Sequence, residues 1–212
     1  MGRITTLFVR KVLAAVEADI DKESFLHSLG IAPDSLKDSS HMLSDADYYA
    51  FLEKLTTVDP NPTTLPLRAG AAMSCDDYGA FGLAWKSATD LRRSYERAER
   101  YARVLTNVST YEVEKTDDGA FMHLHRVGKR RLGMRLSNEA TIASIASISQ
   151  QVSTEAFKPI AVYFKHPSPK TITAHETYFG CPVYFQSDRD ALLISSETLK
   201  TPNKLGDASI SK

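Results

Sequence analysis

Two neighbouring motifs indicate how this chain folds: Ala161-Val162-Tyr163-Phe164-Lys165-His166-Pro167-Ser168-Pro169 and Tyr178-Phe179-Gly180-Cys181-Pro182-Val183-Tyr184-Phe185. The β-branched and aromatic run at 161–164 predicts a strand, and the prolines after it remove backbone donors, so the strand must end there. A helical turn is expected over 173–179, because Gly180 permits the backbone geometry that ends a helix. Pro182 then opens a second extended run. The motifs predict a strand, a turn, a helical turn and a further strand.

The segment before these motifs predicts two long helices around a β-hairpin. Apolar side chains recur at helical spacing from about Asp90 to Leu105, among many Arg and Glu residues, which is typical of an amphipathic helix. Asp117-Asp118-Gly119 predicts a tight turn between strands at 110–114 and 120–127, because Asp-Gly supports positive backbone angles. A second long helix is expected over 132–152. We also predict that residues 187–190 form the last hairpin connection.

The first third of the chain predicts a helical lobe. Helical patterns run from Ile4 to Val16, from Asp21 to Leu29 and after Ser44, which heads a capping arrangement. The fold class predicted is therefore α+β, with a lobe at about 1–75 and a core at about 78–200. In the core, an antiparallel or mixed sheet of about four to five strands packs against the two long helices. We expect residues 1–202 to form one domain and 203–212 to be a polar tail or the start of a linker.

The composition excludes several classes of protein. A chain of 212 residues with 42% hydrophobic residues can bury a full core. Because 26 Lys and Arg residues balance 26 Asp and Glu residues, the net charge gives no general attraction for nucleic acid. Two cysteines are too few for a disulfide framework and fit a reducing compartment. No apolar run approaches the roughly 20 residues that span a bilayer. We therefore expect a soluble, cytoplasmic protein.

The two motifs, followed by Leu199-Lys200-Thr201-Pro202, resemble the N-terminal arabinose-binding-type effector domain of AraC/XylS transcription regulators. The segment from Gly79 to Leu91 is similar to that family's entry into a long helix, and the resemblance covers roughly residues 7–202. It implies a homodimer that binds a small organic effector between helices and sheet. It also implies a separate helix-turn-helix domain, which residues 203–212 are too short to hold. This chain by itself is then expected not to bind DNA or a membrane.

Catalytic signals are weak. No Gly-x-Ser-x-Gly elbow, phosphate loop or dinucleotide fingerprint is present, so we predict neither an enzyme nor a cofactor. Cys75 lies beside Asp76 and Asp77, whose negative charge should raise the thiol pKa and leave it less reactive. His123 and His125 project from the same face of a strand and could hold a metal, although no third ligand lies at a diagnostic spacing. The alternatives are a metal- or haem-dependent sensor or small enzyme that uses this pair, and an oligomerisation module without a ligand.

Aromatic side chains with a polar handle provide the predicted effector site, because they suit a mostly apolar pocket that orients a small molecule. The predicted effector-binding residues are Trp85, Tyr101, His123, His125 and Tyr163. The arginines between 92 and 103 alternate with Glu96 and Glu99, which indicates a solvated, ion-paired face. Contact of this face with a second subunit or the DNA-binding domain is an alternative. We assign the proline- and glycine-rich block at 166–185 to the scaffold. The spacing leaves open whether His166 and His175 approach each other.

Overall fold

The computed structural model describes residues 1–38 and 40–206. The helices are α1 Leu7–Ala15, α2 Lys22–Ser28, α3 Asp45–Leu55, α4 Leu65–Ala71, α5 Ala80–Lys86, α6 Leu91–Tyr101, α7 Leu132–Val152, α8 Thr173–Phe179 and α9 Ser196–Leu199. The strands are β1 Arg3–Thr5, β2 Met42–Ser44, β3 Ser109–Lys115, β4 Gly119–Arg126, β5 Ala161–Tyr163, β6 Val183–Tyr184 and β7 Ala191–Ser195. Short 3-10 helices cover Pro33–Lys37, Cys75–Tyr78 and Ala102–Val104. Residues 207–212 of the expected polar tail lie outside the described residues.

A mixed sheet forms the centre of the fold, with the strand order β3-β4-β7-β5-β6. The strands β3, β4, β7 and β5 pair antiparallel in turn, whereas β5 and β6 are parallel. The β3–β4 hairpin turns at the predicted place, with Lys115 opposite Ala120, but Gly119 does not have the positive φ that was expected of it. Its missing Cβ instead leaves space for the Ile194 carbonyl of β7. Together with the helices, this sheet confirms the predicted α+β class.

Two local predictions were wrong. Residues 187–190 do not close a hairpin, because β5 lies between β6 and β7 and the chain passes from one side of β5 to the other. The first helix begins at Leu7 and not at Ile4, because Arg3–Thr5 pairs as a strand with Met42–Ser44. Both errors concern pairings with segments outside the local pattern, which hydrophobic periodicity does not report.

Sequence signals at the ends of several elements correspond to hydrogen bonds in the structure. The Ser44 hydroxyl accepts from the Asp47 N–H at 3.1 Å and begins α3. Asp90 caps α6 by accepting from the Arg93 N–H at 2.9 Å. Gly180 has a φ of 67° and ends α8, as predicted. Local polar contacts therefore determine where these helices begin and end.

Helix α7 joins the two hydrophobic cores. Near its N-terminal end, Met134 is buried in the core of the helical lobe, which also contains Tyr49 and Leu52. Farther along, Ile142 and Ile145 are buried in the core that α6 and α7 form against the sheet. The predicted bounds of this helix are confirmed. Among the described residues, no helix has both the length and the apolar character needed to cross a bilayer.

Small residues let α7 approach its neighbours closely. A Cβ on Gly70 of α4 would overlap the Ala143 side chain and lie 2.8 Å from the Ser144 backbone nitrogen. A Cβ on Gly133 of α7 would lie 2.6 Å from the Tyr49 Cα atom of α3. Backbone atoms cannot move aside as a flexible side chain can, so both positions require glycine for packing.

We expect the substitution Gly70→Ala to lower the free energy of unfolding by about 1–3 kcal/mol, because the added methyl overpacks the α4–α7 contact. The overpacking should therefore outweigh the stabilisation of about 1 kcal/mol that replacing glycine by alanine normally gives inside a helix. Urea unfolding followed by circular dichroism measures the change. The control is Ala71→Leu on the exposed side of the same helix, which should stay within about 0.5 kcal/mol of wild type. A Gly70→Ala protein as stable as wild type would contradict this account of the contact.

Candidate functional site

The two motifs of the last third meet around one buried carboxylate. Glu139, in the middle of α7, is only 6% exposed. His166 follows β5 and His175 belongs to α8, and the Nε2 atoms of these rings lie 3.1 and 3.2 Å from the same Glu139 oxygen, Oε1. The structure therefore brings together two histidines whose proximity the sequence left open, and it adds an acidic partner from a distant helix.

The hydrogen bonds indicate which ring nitrogens carry protons. An ionised carboxylate only accepts hydrogen bonds, so both Nε2 atoms donate to Glu139. The Nδ1 atoms of His166 and His175 are buried and have no hydrogen-bond partner among the described residues. A proton on either Nδ1 would be a buried donor without an acceptor, which is costly. The geometry thus directs the Nε2–H of each ring at Glu139, so that one carboxylate oxygen accepts two hydrogen bonds.

Aromatic rings hold the two histidines in place. The Phe185 ring lies edge-on to both, with centroids 5.6 Å from the His166 ring and 5.4 Å from the His175 ring. Phe164 packs against His166 and Phe185 at 5.1 and 5.4 Å. These rings surround the imidazoles on the side away from the cleft, so the hydrogen bonds at Oε1 lie in a low-dielectric environment.

Two opposing effects determine the pKa of Glu139. Burial acts to raise the pKa, because it disfavours the charged carboxylate. The hydrogen bonds from His166 and His175, together with the electrostatic attraction of these rings, outweigh burial and leave the pKa below its ordinary value. Glu139 therefore stays ionised although it is nearly inaccessible to solvent.

Glu139 and His166 lie in the wall of an open cleft of about 330 Å³, which we call the His166 cleft. Its walls come from the segment between α3 and α4, the first half of α7 and the turn after β5. The lining residues are Thr56, Pro62, Thr63, Leu132, Arg135, Leu136, Glu139, His166, Pro167, Ser168 and Pro169. The lining is thus mainly apolar, with polar groups on each of the three walls.

Two charged groups in the His166 cleft have unused bonding capacity. Glu139 Oε1 is shared by the histidines, whereas Oε2 has no hydrogen-bond partner among the residues described. Arg135, half-buried one helical turn before Glu139, makes no ion pair or side-chain hydrogen bond with any described residue. The cleft therefore offers an unfilled acceptor and an unpaired guanidinium.

The structure separates the five predicted effector-binding residues into three places. His123, His125 and Tyr163 lie on the sheet face opposite the helices, where Phe121 links them: its ring centroid is 5.4 Å from His123 and 5.9 Å from Tyr163. Tyr184 stacks on Tyr163 at 5.3 Å and extends this aromatic row.

Trp85 and Tyr101 lie elsewhere. Trp85 is 2% exposed in the core beneath the sheet and packs edge-on against Tyr95 at 5.4 Å. Tyr101 is at the end of α6 and is 44% exposed, with the Arg100 guanidinium 5.9 Å from its ring. Because these residues do not surround one space with the sheet-face group, the five residues do not line a common pocket.

The histidine pair of the hairpin has partners from the neighbouring strand. His123 Nε2 is 3.1 Å from Glu114 Oε1, and His125 Nε2 is 2.7 Å from Glu112 Oε1. They line a second cleft of about 230 Å³, which also contains Lys165, Asp188, Arg189 and Asp190 and which we call the sheet-face cleft. Within residues 1–38 and 40–206, no three His, Cys, Asp or Glu side chains are arranged to hold a metal ion.

The cavities between the helical lobe and the sheet are small. One of about 30 Å³ lies beside Tyr48, Tyr78 and Tyr111, and an adjoining one has about 10 Å³. Since a water molecule needs about 10–15 Å³ measured this way, the larger one holds about two waters. Neither has room for an organic effector in this conformation.

Cys75 has the properties of a structural thiol. It is buried beside Met73 and Tyr78 in the main core. Burial raises its pKa to about 12, with the neighbouring Asp76 acting in the same direction and Lys86 against it. The thiol is therefore protonated at neutral pH, and burial contributes more to this than the acidic neighbour that the sequence indicated.

Sequence reasoning did not select Glu139, and it assigned the block that contains His166 and His175 to the scaffold. One signal was present: Glu139 shares helical spacing with Ile142, Ala143 and Ala146, so a charged residue lies on the apolar face of α7. A buried charge needs partners, and histidines are suitable donors. The sequence offered six histidines and no means of choosing among them.

Comparisons with known proteins agree with the resemblance seen in the motifs. A family model described as the arabinose-binding domain of AraC transcription regulators, N-terminal, matches residues 20–203. No curated protein sequence matches the chain. Among solved structures, the transcriptional regulator CdpR from Pseudomonas aeruginosa is similar, with a TM-score of 0.64 and 14% sequence identity. The similarity covers 96% of this chain and 59% of the CdpR chain, and at this identity it shows the fold alone.

The lowered pKa of Glu139 predicts how stability depends on pH. An ionised Glu139 stabilises the fold above the unfolded-state pKa of about 4.3, and this contribution is lost as the pH falls through the lower folded-state pKa. In Glu139→Gln the side-chain oxygen still accepts from both histidines but cannot ionise. The free energy of unfolding of wild type should therefore fall more than that of Glu139→Gln between about pH 5 and pH 3. Urea unfolding at stepped pH tests this, and parallel curves for the two proteins would contradict it.

Proposed function

Because the chain belongs to the family of arabinose-binding domains found at the N-terminus of AraC transcription regulators, we propose that it is the effector-sensing domain of such a regulator. In this proposal it is not catalytic. A small organic molecule binds in the His166 cleft and changes how an attached helix-turn-helix domain is presented to DNA.

The volume and the lining of the His166 cleft together give the main support for an effector site there. Small-molecule sites are typically concave spaces of about 300–1,000 Å³ with apolar walls and a few polar groups that fix orientation. The His166 cleft has a volume of about 330 Å³, and leucines and prolines form part of its walls. Its polar groups include Glu139 Oε2 and the Arg135 guanidinium, which have no partner among the described residues. These properties support an organic ligand of modest size.

The sheet-face cleft has a different character. His123 and His125 are already hydrogen-bonded to Glu114 and Glu112, and Arg189 lies 4.3 Å from the centre of the Phe121 ring. An effector there would have to replace existing polar contacts without gaining an apolar wall, which costs binding energy. That comparison favours the His166 cleft, while a role for Tyr163 and the two histidines stays a prediction.

Helix α7 offers a physical connection from the cleft to the end of the described chain. Its 21 residues extend about 30 Å, with Glu139 in its first half and Val152 at its end. The Val152 carbonyl accepts from the Lys204 N–H at 2.8 Å, and the Asn203 side chain donates to the Ala88 carbonyl at 2.8 Å. A shift of α7 would therefore act on the segment that leads out of the domain.

Such coupling has a thermodynamic requirement. A ligand changes the balance between two conformations only if it binds one more tightly, and equal affinity changes nothing. The cleft meets this requirement in principle because its walls come from the lobe, from α7 and from the turn after β5. A ligand that contacts all three walls favours the arrangement in which they are close together.

The test is a thermal-shift screen of the purified chain with amino acids, fatty acids, aromatic acids and sugars. A compound that binds the native state raises the melting temperature. Ser168→Trp should abolish the shift, because Ser168 is exposed at the cleft rim and an indole there fills the space. The matched control is Thr177→Trp, an exposed position on α8 outside the cleft lining, where the shift should persist.

Two outcomes would overturn the assignment of the site. One is a ligand whose thermal shift survives Ser168→Trp but is lost in His123→Ala, which would place binding on the sheet face. The other is a ligand shift that is equally reduced by Ser168→Trp and Thr177→Trp although both ligand-free variants melt as wild type does, because binding would then not depend on the cleft. Unchanged melting temperatures of the ligand-free variants show that both proteins fold.

A further inference from the structure

The negative charge of Glu139 in the His166 cleft has no Lys or Arg partner among the described residues, and this indicates a cationic group on the ligand. Glu139 carries a negative charge, and its only hydrogen-bond partners among the described residues are two imidazole donors, both at Oε1. No Lys or Arg side chain of the described chain forms an ion pair with it. Buried charges are normally paired, so the free Oε2 atom provides a site for an ammonium group.

Arg135 supplies the opposite charge in the same cleft. Its guanidinium has no ionic partner among the residues described, although other arginines, such as Arg131 with Glu53, are paired. The planar fork of a guanidinium matches the two oxygens of a carboxylate. An unpaired arginine in a concave site therefore suits a carboxylate on the ligand.

The spacing of the two groups restricts the ligand further. Residues four apart on a helix have Cβ atoms about 5–6 Å apart and lie on one face. Glu139 and Arg135 have this relation and line the same cleft, so one small ligand that carries both an ammonium and a carboxylate can reach both side chains. An α-amino acid has them on a single carbon atom. The adjacent wall, formed by Leu136, Leu132 and Pro167, suits an apolar side chain.

From these contacts we propose that the His166 cleft selects α-amino acids with an apolar side chain. The ammonium group binds Glu139 Oε2, the carboxylate binds the Arg135 guanidinium, and the side chain packs on the leucines and prolines. This inference rests on the proposed function, because it names the class of effector for the same cleft.

The experiment compares four probes of similar shape by isothermal titration calorimetry on the purified chain. The first is L-leucine. The others are 4-methylpentanoate, which lacks the ammonium, 3-methylbutan-1-amine, which lacks the carboxylate, and 4-methylpentanamide, which lacks both charges. Since a hydrogen bond to a charged group contributes about 1.5–3 kcal/mol, each missing group should weaken binding by about tenfold or more relative to L-leucine. Valine, isoleucine, methionine and phenylalanine extend the side-chain series.

Two variants assign the groups. Arg135→Gln should weaken L-leucine by about tenfold or more and leave 3-methylbutan-1-amine unchanged, because only the carboxylate contact is lost. Glu139→Gln should weaken L-leucine and the amine but leave 4-methylpentanoate unchanged. If Glu139→Gln fails to fold, the Arg135 variant and the four probes still decide the question. The control is Arg103→Gln, an exposed arginine remote from the cleft, which should bind every probe as wild type does.

Failure of this inference differs from failure of the proposed function. If 4-methylpentanamide binds as tightly as L-leucine, or if no apolar amino acid binds at millimolar concentration, the amino-acid assignment is wrong. The sensor assignment is then judged separately by whether Ser168→Trp abolishes the shift of another compound from the screen. If L-leucine binds but Arg135→Gln leaves its affinity unchanged, the proposed orientation is wrong.

Discussion

The close approach of α7 to α3 and α4 is the constraint on which the rest of the molecule depends. Gly70 and Gly133 allow backbone atoms to come so near that an added methyl group would overlap them. The helix is thereby fixed between the core of the lobe and the core of the sheet. Because a rotation of α7 about its own axis would break both contacts, the face of the helix that carries Glu139 and Arg135 is determined as well, and a shift of α7 has to involve α3 and α4.

The buried carboxylate of Glu139 joins this helix to the motifs of the last third. An unpaired charge in the interior would be strongly unfavourable, and the two histidines reduce that cost with donors from the turn after β5 and from α8. The prolines that end β5 follow His166 and place it in the wall of the cleft. His175 lies within α8, and Gly180 ends that helix. Residues that end strands and helices therefore also form a polar site, which explains why the scaffold and the candidate site share residues.

Local patterns predicted most of the elements correctly. The bounds of α7, the β3–β4 turn, the caps of α3 and α6 and the end of α8 each follow from residues within a few positions of one another. The strand β1 and the order of β6 and β7 were missed, because each depends on a partner segment elsewhere in the chain. The five aromatic and histidine residues were selected by side-chain type and by the elements expected to meet around a cavity, and neither criterion indicates which face of a sheet or helix they share.

Composition, periodicity and turn chemistry were sufficient for the fold class, and the two motifs were sufficient for the family, because those properties are encoded in short runs of residues. The meeting of Glu139 with His166 and His175, the unpaired Arg135 beside it and the volume of the cleft were decided only by tertiary packing. Residues 27 and 36 positions apart in the chain are brought within 3.2 Å by the way α7, β5 and α8 pack together. Sequence spacing carries no record of that distance, because it depends on contacts made along the whole length of α7.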